Sequence, residues 1–174
     1  MNKVILTLPI IFIIVISIFL FIFLIQGKDP NKPPSALLNE DLPKFKMVNL
    51  YHKEENIENK DLANKITLIN FFASWCAPCK VEHPLFFSIK KSYPDIFILG
   101  VDMQDTEEDA IKFLETDGNP YDYVGVDKNG FNGVEFGVLG LPETFLVNKK
   151  GKIIYKYLGP LTKEIIENEI LPLL

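Results

Sequence analysis

The sequence predicts an α/β domain, a central mixed sheet flanked by helices, behind an N-terminal apolar segment. Three observations carry this. From Ile66 onward, short apolar runs alternate with amphipathic ones in the order strand–helix–strand, helix, then strand–strand–helix. The two cysteines, Cys76 and Cys79, sit together where the first of those strands hands over to a helix. Ahead of all this, Val4 to Ile25 is almost wholly apolar.

That first segment is broken only by Thr7, Pro9 and Ser17, and a helix needs roughly twenty apolar residues to cross a bilayer. A cleaved signal peptide would carry a shorter apolar core, about 7–15 residues, and a small-residue cleavage site. Here the run leads into Gln26-Gly27-Lys28-Asp29-Pro30 with no A-x-A pattern, and no cysteine follows that could be lipidated. A buried core helix is the third reading, and the length argues against it. The chain is therefore read as a cytoplasmic stub and transmembrane anchor (1–27), a stiff proline-rich linker (28–36) and one soluble domain (37–174). Lys3 precedes the span while Lys28 and Lys32 follow it, so charge gives little direction. A short stub left in the cytoplasm would send the domain outside.

The domain elements follow in order. Ile66 to Ala73 is a candidate buried strand, and Cys79 to Ser92 fits a helix with Val81, Leu85 and Ile89 on one side. Ile96 to Val101 is a second strand, followed by the acidic stretch Asp102–Asp109. Thr106 is placed to cap a helix reaching Glu115, with Asp109 three residues on. Tyr123 to Val126 reads as a short strand. Thr144–Val147 and Lys152–Leu158 flank the turn Asn148–Gly151 as a hairpin, and Leu161–Leu171 is a last helix with Thr162 near its start. The chain contains no arginine, and from Leu37 onward 22 acidic residues face 15 lysines. Without a basic stripe or bidentate arginine contacts, nucleic-acid binding is disfavoured.

Within Trp75-Cys76-Ala77-Pro78-Cys79 the cysteines lie three apart, on one face of a helix. That spacing can open and close a disulfide with little movement. At a helix start, unpaired N–H groups and the helix dipole favour a thiolate, so Cys76 is expected as the attacking nucleophile and the more exposed of the two, with Cys79 resolving. Two other readings compete. A zinc site would need further ligands, and only His52 and His83 are on offer, without paired spacing. A purely structural disulfide closing so short a loop would restrain little of the unfolded chain. A redox-active pair is the preferred reading, with no metal and no cofactor beyond the Cys76–Cys79 disulfide itself.

Asn70-Phe-Phe-Ala-Ser-Trp-Cys-Ala-Pro-Cys-Lys-Val-Glu-His-Pro84 resembles thioredoxin-like proteins and, more narrowly, the CcmG/DsbE family of cytochrome c biogenesis. Gly118-Asn-Pro-Tyr121, Phe136-Gly-Val-Leu-Gly-Leu-Pro-Glu-Thr-Phe-Leu-Val147, the anchor and the Pro34-Ser-Ala-Leu37 stretch extend the likeness over nearly the whole chain. The resemblance implies a thioredoxin-like fold with a segment inserted within Gly118–Gly137. It implies that Pro142 is the cis-proline opposite the active site, with the Leu141 backbone pairing with a client strand. It implies a helix-kinking role for Pro84, and two acids: Glu82, tuning the cysteines or shuttling a proton, and Glu143, grouped with Trp75, Leu141 and Pro142 as substrate-binding. Trp75 is expected beside the disulfide, limiting access, and His83 as a structural residue. Asn70 stands where thioredoxins carry a buried aspartate, which shifts proton handling to Glu82. Leu139 replaces a common aromatic, and Leu141 is bulkier than usual.

What the resemblance implies functionally is a reductant in cytochrome c maturation, acting on apocytochrome c or a haem-ligation protein and re-reduced by a membrane electron donor of the CcdA/DsbD type. It would sit in the bacterial inner membrane as a single-pass protein with its domain in the periplasm. The rival is a general envelope reductase of the TlpA/ResA type with other clients.

Overall fold

A computed structural model describes residues 3–25, 31 and 36–174. It divides into two units, Met1–Lys32 and Pro33–Leu174. The linker expected at 28–36 lies mostly outside the described residues.

In the first unit a helix, α1, runs Lys3–Ile25 with Pro9 inside it. Its described side chains, residues 8–22, are exposed. Among the described residues no helix is long and apolar enough to cross a membrane.

The second unit is built on a seven-stranded sheet in the order β2-β1-β5-β4-β3-β6-β7. Its strands are β1 (Lys46–Asn49), β2 (Asn56–Glu58), β3 (Thr67–Phe72), β4 (Phe97–Met103), β5 (Tyr123–Asp127), β6 (Glu143–Val147) and β7 (Ile153–Leu158). β3, β4 and β5 pair in parallel, while β6 and β7 on one side and β1 and β2 on the other are joined through antiparallel pairings. The mixed sheet predicted from the sequence is present. The edge pair β1–β2 was not predicted: Asn56–Glu58 has one buried residue, Ile57, too little to show an alternation.

The helices are α2 (Ala77–Ser92), α3 (Glu107–Asp117), α4 (Phe131–Glu135) and α5 (Lys163–Ile165), the last continuing through a π turn to Ile170 and a 3₁₀ turn to Leu173. Thr106 caps α3, its hydroxyl accepting from the Asp109 N–H at 3.1 Å and donating to that carboxylate at 2.7 Å. The segment expected as an insertion, Gly118–Gly137, contributes β5 and α4.

Every residue of β3 is buried because both faces of the sheet are covered. The two-residue strand period then sorts side chains. Leu68 and Phe72 join a cluster with Cys76, Cys79 and Phe86 of α2, Phe113 and Leu114 of α3, and Ile166 and Ile170 near the C-terminus. Ile69 and Phe71 join the opposite cluster with Met47, Phe136 and Phe145. There Phe71, Phe136 and Phe145 pack at centroid distances of 5.3–5.7 Å.

Helix α2 corrects one expectation. Its buried stripe is Cys79, Glu82, His83, Phe86 and Ile89, whereas Val81 is 73% exposed. The spacing 79-82-83-86-89 is a proper helical face. Two polar residues occupy its middle, so counting apolar residues alone rotated the helix.

Candidate active site

β3 ends at Phe72, and the chain reaches Cys76, the N-cap of α2, four residues later. Cys76 and Cys79 form a disulfide, S–S 1.97 Å, with Cα atoms 5.3 Å apart. The Cys79 N–H donates to Cys76 Sγ at 3.2 Å. Cysteine thus does at this helix start what serine or aspartate does elsewhere, accepting from an otherwise unpartnered backbone donor. On reduction the same N–H faces the sulfur that carries the charge. The expected difference in exposure is slight, since Cys76 is 3% and Cys79 2% exposed.

One turn beyond Cys79, Glu82 is buried and anchored twice. Its Oε1 accepts from Asn70 Nδ2 at 2.7 Å, and its Oε2 from the Leu161 N–H at 2.7 Å. Asn70 Nδ2 also donates to Thr144 Oγ1 at 3.1 Å, and its Oδ1 accepts from the Tyr121 hydroxyl at 2.9 Å. The strand period explains the meeting: Asn70 shares a face with Leu68 and Phe72, and Thr144 is its partner in register on β6. Burial pushes the Glu82 carboxyl up to about 7, while the two donors pull it partly back. A carboxyl titrating there can hold or release a proton near neutral pH. Tyr121 is pushed well above the usual tyrosine range, by burial first and then by Glu82 and Asp102.

Asp102 was not singled out from the sequence. It pairs with Phe72 in register and is buried, and among the described residues neither of its oxygens has a hydrogen-bond partner. Burial, then the negative charge of Asp105, push it up to about 8. In the sequence it opens the acidic stretch placed after the second strand, but it is still part of β4. Asp105, three residues on, accepts from the Ser74 N–H at 2.5 Å, tying the loop before Cys76 to the end of β4.

Trp75 is 61% exposed, and its indole N–H donates to the Gln104 carbonyl at 3.1 Å. A cleft of about 420 Å³ opens beside it, lined in part by Lys80, Lys112 and Phe113. His83 is buried against Phe113, Phe87 and Tyr121. Its Nε2 lies 2.8 Å from the Gly118 carbonyl, which can only accept, so that nitrogen carries the proton. Burial lowers the His83 pKa.

The Leu141–Pro142 peptide bond is cis. Leu141 is partly buried and packs against the cluster that holds both cysteines. Glu143 does not join Glu82. Thr144 faces Asn70, so the strand period turns Glu143 to the opposite face, with Phe145. There it is 0% exposed, its Oε1 3.0 Å from Lys156 Nζ and its Oε2 accepting from the Leu139 N–H at 2.8 Å. Where the expectation puts Glu143 against a substrate, the structure buries its side chain against Lys156 and the Leu139 N–H. Lys156, which looks like an ordinary hairpin lysine in the sequence, also donates to the Gly137 carbonyl at 2.7 Å.

A Cys-x-x-Cys disulfide opening the helix that follows a central strand of such a sheet defines a thioredoxin-like thiol–disulfide oxidoreductase. The Redoxin family profile matches residues 38–171. The chain belongs to that family and, within it, to the DsbE/CcmG thiol:disulfide interchange proteins. It is 42% identical over 153 residues to the thiol:disulfide interchange protein HelX of Rhodobacter capsulatus, covering 87% of this chain and 85% of that one. It is 35% identical to the thiol:disulfide interchange protein DsbE of Tatumella citrea, covering 99% and 95%. Among solved structures, a DsbE protein from Chlorobium tepidum superposes with a TM-score of 0.69 at 26% identity, covering 79% of this chain and 98% of that one.

Proposed function

We propose that this oxidoreductase works as a reductant in cytochrome c maturation. The Cys76 thiolate attacks a disulfide of apocytochrome c or of a haem-ligation protein, displacing one client sulfur as a thiol and forming a mixed disulfide. Cys79 then attacks Cys76 Sγ, releasing the second client thiol and leaving Cys76–Cys79 oxidised. Two electrons and two protons pass to the client. A membrane dithiol donor of the CcdA/DsbD type returns them. The observation that carries the exchange chemistry is the buried Glu82, whose carboxyl at about 7 lies one turn from Cys79. It offers a proton acceptor as the resolving thiol ionises.

The apolar run of α1 and the Cys-x-x-Cys chemistry together support placement as a single-pass inner-membrane protein with residues 37–174 in the periplasm, where client disulfides form. The test is trapping in cells with full-length Cys79→Ser, followed by identification of the mixed disulfides. Apocytochrome c or a haem-ligation protein is expected. A broad set of unrelated envelope clients would instead support a general TlpA/ResA-type reductase. If Cys76→Ala left disulfide exchange intact, the mechanism would be wrong.

A further inference from the structure

We propose that Lys156 is a positioning residue that, with Glu143, fixes the backbone of Gly137–Leu139 and so pre-shapes the segment that receives a client strand. This rests on the proposed reduction of a polypeptide client.

The two side chains project from neighbouring strands, β6 and β7, onto one face of the sheet. Lys156 lies opposite Phe145 in register, with its ammonium 5.2 Å from that ring. Their side chains are 6% and 0% exposed. A buried ion pair is seldom more stabilising than two apolar residues of the same shape, so stability alone is a poor account of this one. Its remaining contacts give a better one. Lys156 Nζ donates to the Gly137 carbonyl at 2.7 Å, Glu143 Oε2 accepts the Leu139 N–H at 2.8 Å, and the pair closes at 3.0 Å. Two backbone groups of one loop, two residues apart, are thus tied to two side chains that neutralise each other.

That loop leaves α4 at Glu135 and enters β6 at Glu143. Gly137 turns it with φ +60°. Leu139 then offers its side chain to solvent, 66% exposed, while its N–H is held inward. Among the described residues, the Leu141 backbone has no backbone hydrogen-bond partner. A fixed loop with an apolar side chain outward and an unpaired backbone beyond it suits an extended polypeptide that adds main-chain hydrogen bonds. A small disulfide has no use for either feature. Holding the loop before binding removes an ordering penalty from the client complex, so the effect belongs in KM for a peptide client.

The experiment uses the full chain in detergent with two disulfide probes. One is a synthetic peptide closed by a disulfide within Cys-x-x-Cys-His, and the other is 5,5′-dithiobis(2-nitrobenzoic acid). The main variant is Glu143→Gln/Lys156→Met, which leaves no unpaired buried charge. The ratio of peptide kcat/KM to small-disulfide kcat/KM is expected to fall about tenfold, mostly through peptide KM, as lost preorganisation requires. Lys156→Arg, which keeps charge and donors, is expected to hold the ratio within about threefold of wild type. An unchanged ratio in the double variant overturns the proposal, as does an equal fall with Lys156→Arg. Amide hydrogen exchange at Leu139 is read with no client present and is expected to quicken about tenfold in the double variant. Unchanged exchange also overturns the proposal. If wild type reduced neither probe, the reductant reading would fail, and the exchange measurement alone would decide the clamp.

Discussion

Replacing Glu82 by glutamine should change how stability depends on pH, in a direction fixed by burial. Below about pH 4.5 the carboxyl is protonated in both folded and unfolded chains, and its contribution to stability is fully present. Between 4.5 and about 7 the unfolded chain has lost the proton while the folded one keeps it, so stability falls as pH rises. At about 1.4 kcal/mol per pH unit, the gap between 4.5 and about 7 amounts to about 3 kcal/mol lost by pH 8. Glutamine does not titrate and lacks that loss. It also turns an amide N–H₂ toward the Leu161 N–H or sacrifices the Asn70 bond, a pH-independent penalty of about 1–3 kcal/mol. The two effects separate in urea unfolding of the oxidised chain at pH 4 and pH 8. Glu82→Gln should be the less stable protein at pH 4, and its unfolding free energy relative to wild type should improve by about 3 kcal/mol by pH 8. A difference between the two proteins that stays constant to within about 0.5 kcal/mol across that range would refute the desolvation argument.

Lys156→Met alone leaves the Glu143 charge buried without its partner and should destabilise by about 3–5 kcal/mol. Adding Glu143→Gln should recover most of it, as read from denaturant midpoints. Gly100→Ala would put a Cβ 2.8 Å from the Tyr121 ring and 3.0 Å from Phe72. The ring should shift and release the Asn70 amide, with a loss of about 1–3 kcal/mol and a changed near-ultraviolet spectrum. His83 has a folded pKa below its ordinary 6.5, so stability should fall as pH drops below about 6.5. His83→Leu should remove that part of the slope, which runs opposite to that of Glu82.

Much of the site was legible because its chemistry is local. The cysteine spacing, the strand before it and the helix after it occupy one continuous stretch, and Glu82 lies at a fixed helical offset from Cys79. Harder to read was whatever depends on which face a residue takes within a sheet covered on both sides. β6 is buried at every position, so its sequence shows no alternation to reveal that Thr144 looks toward Asn70 and Glu143 away. Asp102 hid for the same reason at the end of β4. Lys156 reads as an ordinary exposed lysine of a hairpin until the loop from Gly137 to Leu139 is folded over it. The partners of Glu82 were out of reach too: Leu161 is 79 residues away and contributes only its backbone.

That long reach bears on how the protein is made. At about 5–20 residues per second, the ribosome adds the Leu161 amide roughly 4–16 s after Glu82. Thr144 follows Asn70 by 74 residues. Through that interval both cysteines exist on a chain that lacks β6, β7 and the Leu161 N–H, one of the two groups that anchor the Glu82 carboxyl. The emerging thiols are therefore only partly tuned, and they take on the properties of the finished enzyme when the C-terminal hairpin docks beside β3. A fragment ending before Glu143 would keep the whole Cys-x-x-Cys sequence and Asn70, but lose the Leu161 anchor of Glu82 and the Thr144 partner of Asn70.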